Sequence, residues 1–303
     1  MTNKSNILIF HSVVKDNDFD VIGLSSVQFD RIIKYLKKIK QHSRLNAHLN
    51  PAPENQGKRK FILTFDDGYA DNYENAMPVL QRHEVSATFF IASGYLDGGW
   101  MWNDGIIEAI VKTSKRQLDL TMLGYEKYSL ESMMERKICI SDVIGKVKYL
   151  PPEKRTSLAK QILERADVEE PTHLMMTSQQ VRLMHQAGME IGGHTVNHPI
   201  LTCIDKTTAR REIFENKEYL ESLIGEPLRS FAYPNGKPGK DYGPEHVQMV
   251  KEAGYKCAVS TAWGRVNKNS DPYQLPRFTP WDKNPWTFML RLYLQRLDRE
   301  ERV

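Results

Sequence analysis

Apolar residues fall along this chain in two rhythms. Short runs bounded by turn-forming or polar residues recur at Ile7 to His11, Phe61 to Asp66, Ala87 to Ala92, Glu190 to Thr195, Arg229 to Tyr233, Lys256 to Ser260 and Gln274 to Phe278, each with the length and composition of a β-strand. Between the first two, Phe29, Ile32, Ile33, Leu36 and Ile39 recur at helical spacing, and Ser25 with Gln28 forms a capping box at the entrance. Thr177 and Gln180 repeat the device before Val181 and Met184, and Gly188 stops that helix ahead of the next strand. A helix rich in Glu and Lys is expected from about Thr208 to Ile224, ending at Gly225, and another from about Glu245 to Ala253, ending at Gly254.

Strands that alternate with helices predict an α/β protein with a mostly parallel sheet. Seven such units predict a closed or nearly closed barrel, with an open doubly wound sheet as the alternative. The region from Val111 to Asp167 breaks the rhythm: it is charged, helical in pattern (Leu130, Met133, Met134, then Leu158, Ile162, Leu163) and divided by Pro151 and Pro152. It reads as a helical insertion or lid at about 111–170, within a single domain spanning 1–303. Asn46 to Lys60, with Pro51, Pro53, Asn55 and Gly57, reads as a loop.

Composition narrows the function classes. The chain has 303 residues, 40% of them hydrophobic, enough for one large core. Its 42 basic and 38 acidic residues leave a formal charge of +4 spread through the chain, which gives no reason to expect nucleic-acid binding. Cys139, Cys203 and Cys257 are far apart and lack Cys-x-x-Cys spacing, so neither a disulfide framework nor a thiolate metal site is implied, and buried free thiols are expected. Ile7 to Phe10 is too short for a signal-peptide core and no stretch approaches a membrane span. The chain as written reads as cytoplasmic, and an exported form trimmed of its leader would read the same.

Two clusters carry candidate chemistry. In Phe61 to Gly68, FILTFDDG, an apolar strand ends in Asp66 and Asp67 at the sheet edge where parallel α/β folds gather their active sites, although Asp-Asp-Gly is also a good turn. In Gly192 to Pro199, GGHTVNHP, His194 and His198 stand four residues apart at another strand end. Two imidazoles and one carboxylate form a divalent-metal set that leaves positions open for water and substrate. His42, His48, His83, His173, His185 and His246 stand alone and read as surface or core residues.

TFDDG followed at a distance by HTVNHP resembles the polysaccharide deacetylase family, also called the NodB-homology or carbohydrate esterase 4 family, over most of the chain. The resemblance implies a distorted (β/α)7 barrel, in agreement with the strand count. It implies Asp66 as general base and Asp67, His194 and His198 as ligands of a divalent ion, zinc first, with cobalt or nickel as alternatives. The substrate class it implies is an N-acetylated carbohydrate, whose amino-sugar N-acetyl group is hydrolysed to acetate.

The chain departs from the family pattern in two places. Ala232 to Gly236, AYPNG, has Ala232 where the resemblance expects the base-positioning arginine; either Arg277, in LPRF near another strand end, takes its place, with Arg229 a weaker candidate, or Asp66 is oriented differently. The resemblance further implies that the backbone N–H around Asn235 faces a developing oxyanion and that Tyr233 belongs to the substrate site. The late strand ending in a general-acid histidine is absent from the C-terminal part, whereas Ile7 to His11, ILIFH, has its character at the N-terminus, as in circularly permuted members of the family. His11 is therefore the expected general acid. Trp281, four residues beyond Arg277, is placed to line the pocket for the acetyl methyl. Two other functions fit the same residues: a formamide or cyclic-amide hydrolase, and a catalytically silent glycan-binding module.

Overall fold

Asn6–Phe10 (β1) is buried along its whole length and pairs in parallel with Lys60–Phe65 (β2), Ile7 beside Ile62 and Phe10 beside Phe65. The computed structural model describes residues 5–15, 24–39, 41–49, 60–267 and 269–278. From β2 the sheet continues through Thr88–Ile91 (β3), Glu190–Gly193 (β4), Ser230–Ala232 (β5), Cys257–Trp263 (β6) and Leu275–Arg277 (β7), every pair parallel. It then returns to its start: the Ile9 N–H donates to the Phe278 carbonyl at 3.0 Å, and the Phe278 N–H to the Ile7 carbonyl at 2.8 Å. The barrel is therefore a closed ring of seven strands, all seven of them at the positions expected from the apolar runs. Gln41–His42 adds a short parallel pairing to the start of β2.

Strand periodicity sorts the core into two parts, because alternate residues face opposite sides. Ile7, Ile62, Phe90, Ala232, Cys257, Val259 and Leu275 form one buried cluster, the filling of the barrel. Leu8, Phe10, Leu63, Phe65, Phe89, Ile91 and Phe231 face outward and join helical residues such as Phe29, Ile33, Leu36, Leu80 and Ile213. On that outer side Phe65 stacks on Phe89 at 4.7 Å and on Phe10 at 5.2 Å, while Phe29 meets Phe10 edge-on at 5.3 Å. Such aromatic pairs add about 0.5–1.5 kcal/mol each beyond the burial of their area. On the inner side Gly192 is required: a Cβ there would lie 2.5 Å from the Phe90 ring that fills the barrel.

The outer helices are Ser26–Ile39 (α1), Met77–Arg82 (α2), Ser178–Gln186 (α3), Lys206–Ile224 (α4) and Pro244–Glu252 (α5). Both expected capping boxes form. Gln28 N–H donates to Ser25 Oγ at 3.3 Å while Gln28 Oε1 accepts from the Ser25 N–H at 3.1 Å. Thr177 and Gln180 exchange the same pair of bonds at 3.1 and 2.8 Å. The expected loop at Asn46 to Lys60 begins with a short helix, Leu45–Leu49, and 50–59 lie outside the described residues.

Gly98–Met175 form a second compact unit. It contains helices Trp102–Lys112, Met133–Val147 and Pro152–Ala166 and an antiparallel hairpin of Gln117–Asp119 with Lys127–Ser129. The unit is wider than the 111–170 segment expected, since it takes in a first helix whose Ile106, Ala109 and Ile110 are buried. Pro152 opens a helix rather than breaking one, at the first-turn position where its missing N–H costs nothing. Cys139 and Cys257 are buried free thiols and Cys203 is half-buried. Among the described residues no helix is long and apolar enough to cross a membrane.

Candidate active site

Inward-facing positions of the strands converge just beyond their C-terminal ends. In β2, Ile62 and Thr64 point into the barrel, and Asp66 continues the alternation one step past the strand. Asp67 follows in the left-handed region at φ 77°, with Gly68 at 95°, so the chain turns sharply and brings two neighbouring carboxylates to one site. His194 extends the inward phase of Gly192 in β4. Thr195 at φ 64° and His198 at φ 48° then coil the chain back on itself. Non-glycine residues in this region each cost about 1–3 kcal/mol, so the surroundings must hold them there.

This coiling brings three ligand atoms together. Asp67 Oδ1 lies 3.3 Å from His194 Nε2 and 3.3 Å from His198 Nε2. All three candidate donors fall within 4.8 Å of one another. His194 Nδ1 is 2.7 Å from the Ala232 carbonyl, a contact that puts a proton on Nδ1, so that in the neutral ring Nε2 keeps the lone pair a metal ion would take. One carboxylate oxygen and two imidazole nitrogens with open coordination positions suit zinc, cobalt or nickel, and the residues fit the ion the family implies.

Arg277 lies beside this group and is fully buried. Its Nη1 donates to Asp66 Oδ1 and its Nη2 to Asp66 Oδ2, both at 2.7 Å. Its Nε donates to the Ser260 carbonyl at 2.8 Å, and Nη1 also reaches Thr64 Oγ1 at 3.2 Å. Ala232, at the family's arginine position, is buried in the barrel filling. Thus β7 carries the guanidinium that β5 lacks.

Burial alone would raise the Asp66 pKa, but the Arg277 charge and hydrogen bonds outweigh it and hold the carboxyl below its usual range. Burial also acts to raise Asp67, and is outweighed by the His194 hydrogen bond and the charges of His198 and His11, so this carboxyl is held far below its usual range. For His194 burial favours the neutral ring, yet Asp67 and Asp66 together prevail and shift its pKa upward.

The remaining expected residues divide. His11 is half-buried at the end of β1, next to β2, where the Asp66 N–H donates to the Phe10 carbonyl at 3.0 Å. Asn72 Nδ2 donates to the His11 carbonyl at 2.8 Å from the start of a π-helical turn, Asn72–Ala76. Asn235 adopts φ 59°, and its carbonyl accepts from Thr261 Oγ1 at 2.7 Å. Tyr233 requires a correction. In phase with Phe231 it faces outward, fully buried, stacked on Tyr242 at 3.8 Å with its hydroxyl donating to the Tyr273 carbonyl at 3.1 Å. Although it directly follows β5, its side chain is part of the outer core and is directed away from the barrel interior. Trp281 lies outside the described residues.

Two features were not anticipated. Trp263 ends β6 directly opposite Arg277 and is 40% exposed, an aromatic surface on the rim. Its signal was weak, because the apolar run of that strand reads as ending at Ser260. Glu212 and Asn216 of α4 are buried under the His194–His198 loop. Their signal was a polar pair one helical turn apart on the stripe of Ala209, Ile213 and Leu220, in a helix otherwise rich in charge.

Comparisons with known proteins agree with this geometry. YxkH of Bacillus subtilis (strain 168), named for the polysaccharide deacetylases, is 22% identical over 277 residues, covering 90% of this chain and 70% of its own. Among solved structures, the Streptococcus pyogenes deacetylase PplD in complex with acetate has a TM-score of 0.61 at 20% identity, covering 96% of this chain and 98% of that one. IcaB from Ammonifex degensii has a TM-score of 0.58 at 15% identity, with 97% of each chain covered. These structures share the fold. The polysaccharide deacetylase family model matches residues 54–123 and 152–258, more than half of the chain and including Asp66, Asp67, His194 and His198, so the chain belongs to the polysaccharide deacetylase family.

Proposed function

We propose that this protein is a metal-dependent N-deacetylase that hydrolyses the N-acetyl group of an amino sugar in a polysaccharide, lipid-linked glycan or glycan precursor and releases acetate. The observation that carries the reading is the adjacency of two differently equipped carboxylates: Asp67 against two imidazoles and Asp66 against a guanidinium. One is built to ligate and the other to accept a proton.

Asp67, His194 and His198 would hold the ion, which when bound lowers the pKa of water and polarises a carbonyl oxygen. Asp66, kept ionised and aimed by Arg277, takes the proton from the attacking water. The new C–O bond gives a tetrahedral adduct, the amide C–N bond then breaks as the C=O bond re-forms, and His11 gives its proton to the departing amine. The backbone N–H at Asn235, on a turn fixed by Thr261, supplies a donor for the carbonyl oxygen as its negative charge grows. Trp263 offers an apolar face to the sugar or acetyl group.

The test is an acetate-release screen of the zinc-, cobalt- and nickel-loaded protein over N-acetylhexosamine polymers, lipid-linked sugars and nucleotide sugars. Acetate release that is lost on chelation and restored by metal supports the reading. Formate or a ring-opened product from non-sugar amides would replace it with an amide hydrolase of the same fold. Glycan binding without metal uptake or turnover would replace it with a binding module.

A further inference from the structure

The loop that carries both histidine ligands is held from below by helix α4. Glu212 and Asn216 lie one turn apart on it and are buried. Glu212 Oε2 accepts from the backbone N–H groups of Val196 at 2.8 Å and Asn197 at 2.7 Å, and its Oε1 accepts from Asn197 Nδ2 at 2.7 Å. Asn216 Oδ1 accepts from the His194 N–H at 3.0 Å, while the two hydrogens of its Nδ2 are shared among the carbonyls of Thr195 at 2.6 Å and Ile91 at 3.0 Å and Ser93 Oγ at 2.8 Å. Gly193 makes this approach feasible, since a Cβ there would lie 2.8 Å from Asn216 Oδ1.

These bonds cover the stretch between the two left-handed residues, Thr195 and His198. Released from them, the backbone would relax toward ordinary dihedrals and carry His198 Nε2 away from Asp67. We propose that Glu212 and Asn216 are positioning residues that set the affinity of the site for its divalent ion, with Glu212 and Asn197 as the decisive pair. The inference rests on Asp67, His194 and His198 being the ligand set. A buried carboxylate accepting three N–H groups from one loop is a device for fixing that loop, and supporting groups of this kind typically account for about 10–100-fold in metal affinity.

The Glu212–Asn197 contact provides a test that separates positioning from simple stability. Glu212→Gln sets two amide N–H2 groups against each other, Asn197→Asp sets two carboxylates against each other, and the double variant restores one donor facing one acceptor. Zinc affinity is measured by calorimetry on the chelator-treated proteins, alongside the thermal midpoint of each metal-free form. Each single variant is expected to bind zinc at least tenfold more weakly while remaining folded, and the double variant to recover most of that loss. Wild-type zinc affinity in both singles, whatever their midpoints, would overturn the proposal, as would a double variant no better than the weaker single. Failure of the wild-type protein to bind zinc, cobalt or nickel would overturn the ligand assignment and this inference together, so the two failures are distinguishable.

Discussion

Arg277 and Asp66, 211 positions apart in sequence, meet through two parallel hydrogen bonds of 2.7 Å at the C-terminal ends of the barrel strands. The pair is buried, the guanidinium fully and the carboxylate nearly so. Removing one member of such a pair leaves the other charge buried and uncompensated, at a cost of about 3–5 kcal/mol. Arg277→Ala is therefore expected to lower stability in chemical denaturation by that order and to abolish turnover. Arg277→Lys keeps the charge but not the two-pronged geometry, and retains more stability than activity. Because Arg277 holds the Asp66 pKa down, the acidic limb of the pH–rate profile should move to higher pH in Arg277→Lys. An unmoved limb would show that Asp66 is not the group whose ionisation the profile reports.

Asp66 and the ligands should fail differently. Asp66→Asn is expected to bind zinc with near wild-type affinity yet lose roughly 100- to 10,000-fold in turnover, the usual contribution of a positioned base. His194→Ala is expected to lose zinc affinity and activity together. Metal analysis of the purified variants beside acetate-release rates makes the distinction, and substantial turnover by Asp66→Asn would remove it from the role of base.

His11 should behave as an acid that must be protonated to work. His11→Gln is expected to retain zinc, lose turnover on ordinary amides, and lose much less on an activated acetyl ester whose leaving group needs no proton. Equal losses on both substrates would argue against proton donation by His11.

The metal-free protein should show a pH signature at His194. Its pKa in the folded chain is raised, with Asp67 and Asp66 overcoming burial. The associated stabilisation is fully present below the ordinary histidine value of about 6.5 and is lost as pH rises through the raised value. The thermal midpoint of chelator-treated wild type, relative to His194→Gln, is expected to fall across that interval. The zinc-loaded form should not follow, because ligated imidazole takes up no proton. A constant difference between the two metal-free proteins across the interval would contradict the shift.

Much of this was legible before folding. The strands were visible because each is buried on both faces and so reads as an unbroken apolar run. The capping boxes were visible because their partners are only three residues apart. Asp66, Asp67, His194 and His198 were visible for the same reason, being local to two short motifs. His11 and Arg277 lie outside the residues matched by the family model; the pairing of β1 with β2 brings His11 to the site, and the closure of β7 onto β1 and β6 brings Arg277. Tyr233 was misassigned although its strand phase, shared with the outward-facing Phe231, already excluded the barrel mouth. Glu212 was hidden by a different effect. In a helix carrying acidic residues on several sides, composition cannot say which one turns inward, and the answer depends on the orphaned N–H groups of a loop elsewhere in the chain.

The closure of β7 onto β1 has a consequence for synthesis. A chain emerging from the ribosome presents His11, Asp66, Asp67, His194 and His198 well before Arg277, so Asp66 is made long before its cation. Without that partner, an inward-facing carboxylate in a dry barrel favours its neutral form, which cannot accept a proton. The last strand thus completes both the ring of hydrogen bonds and the ion pair that keeps Asp66 ionised.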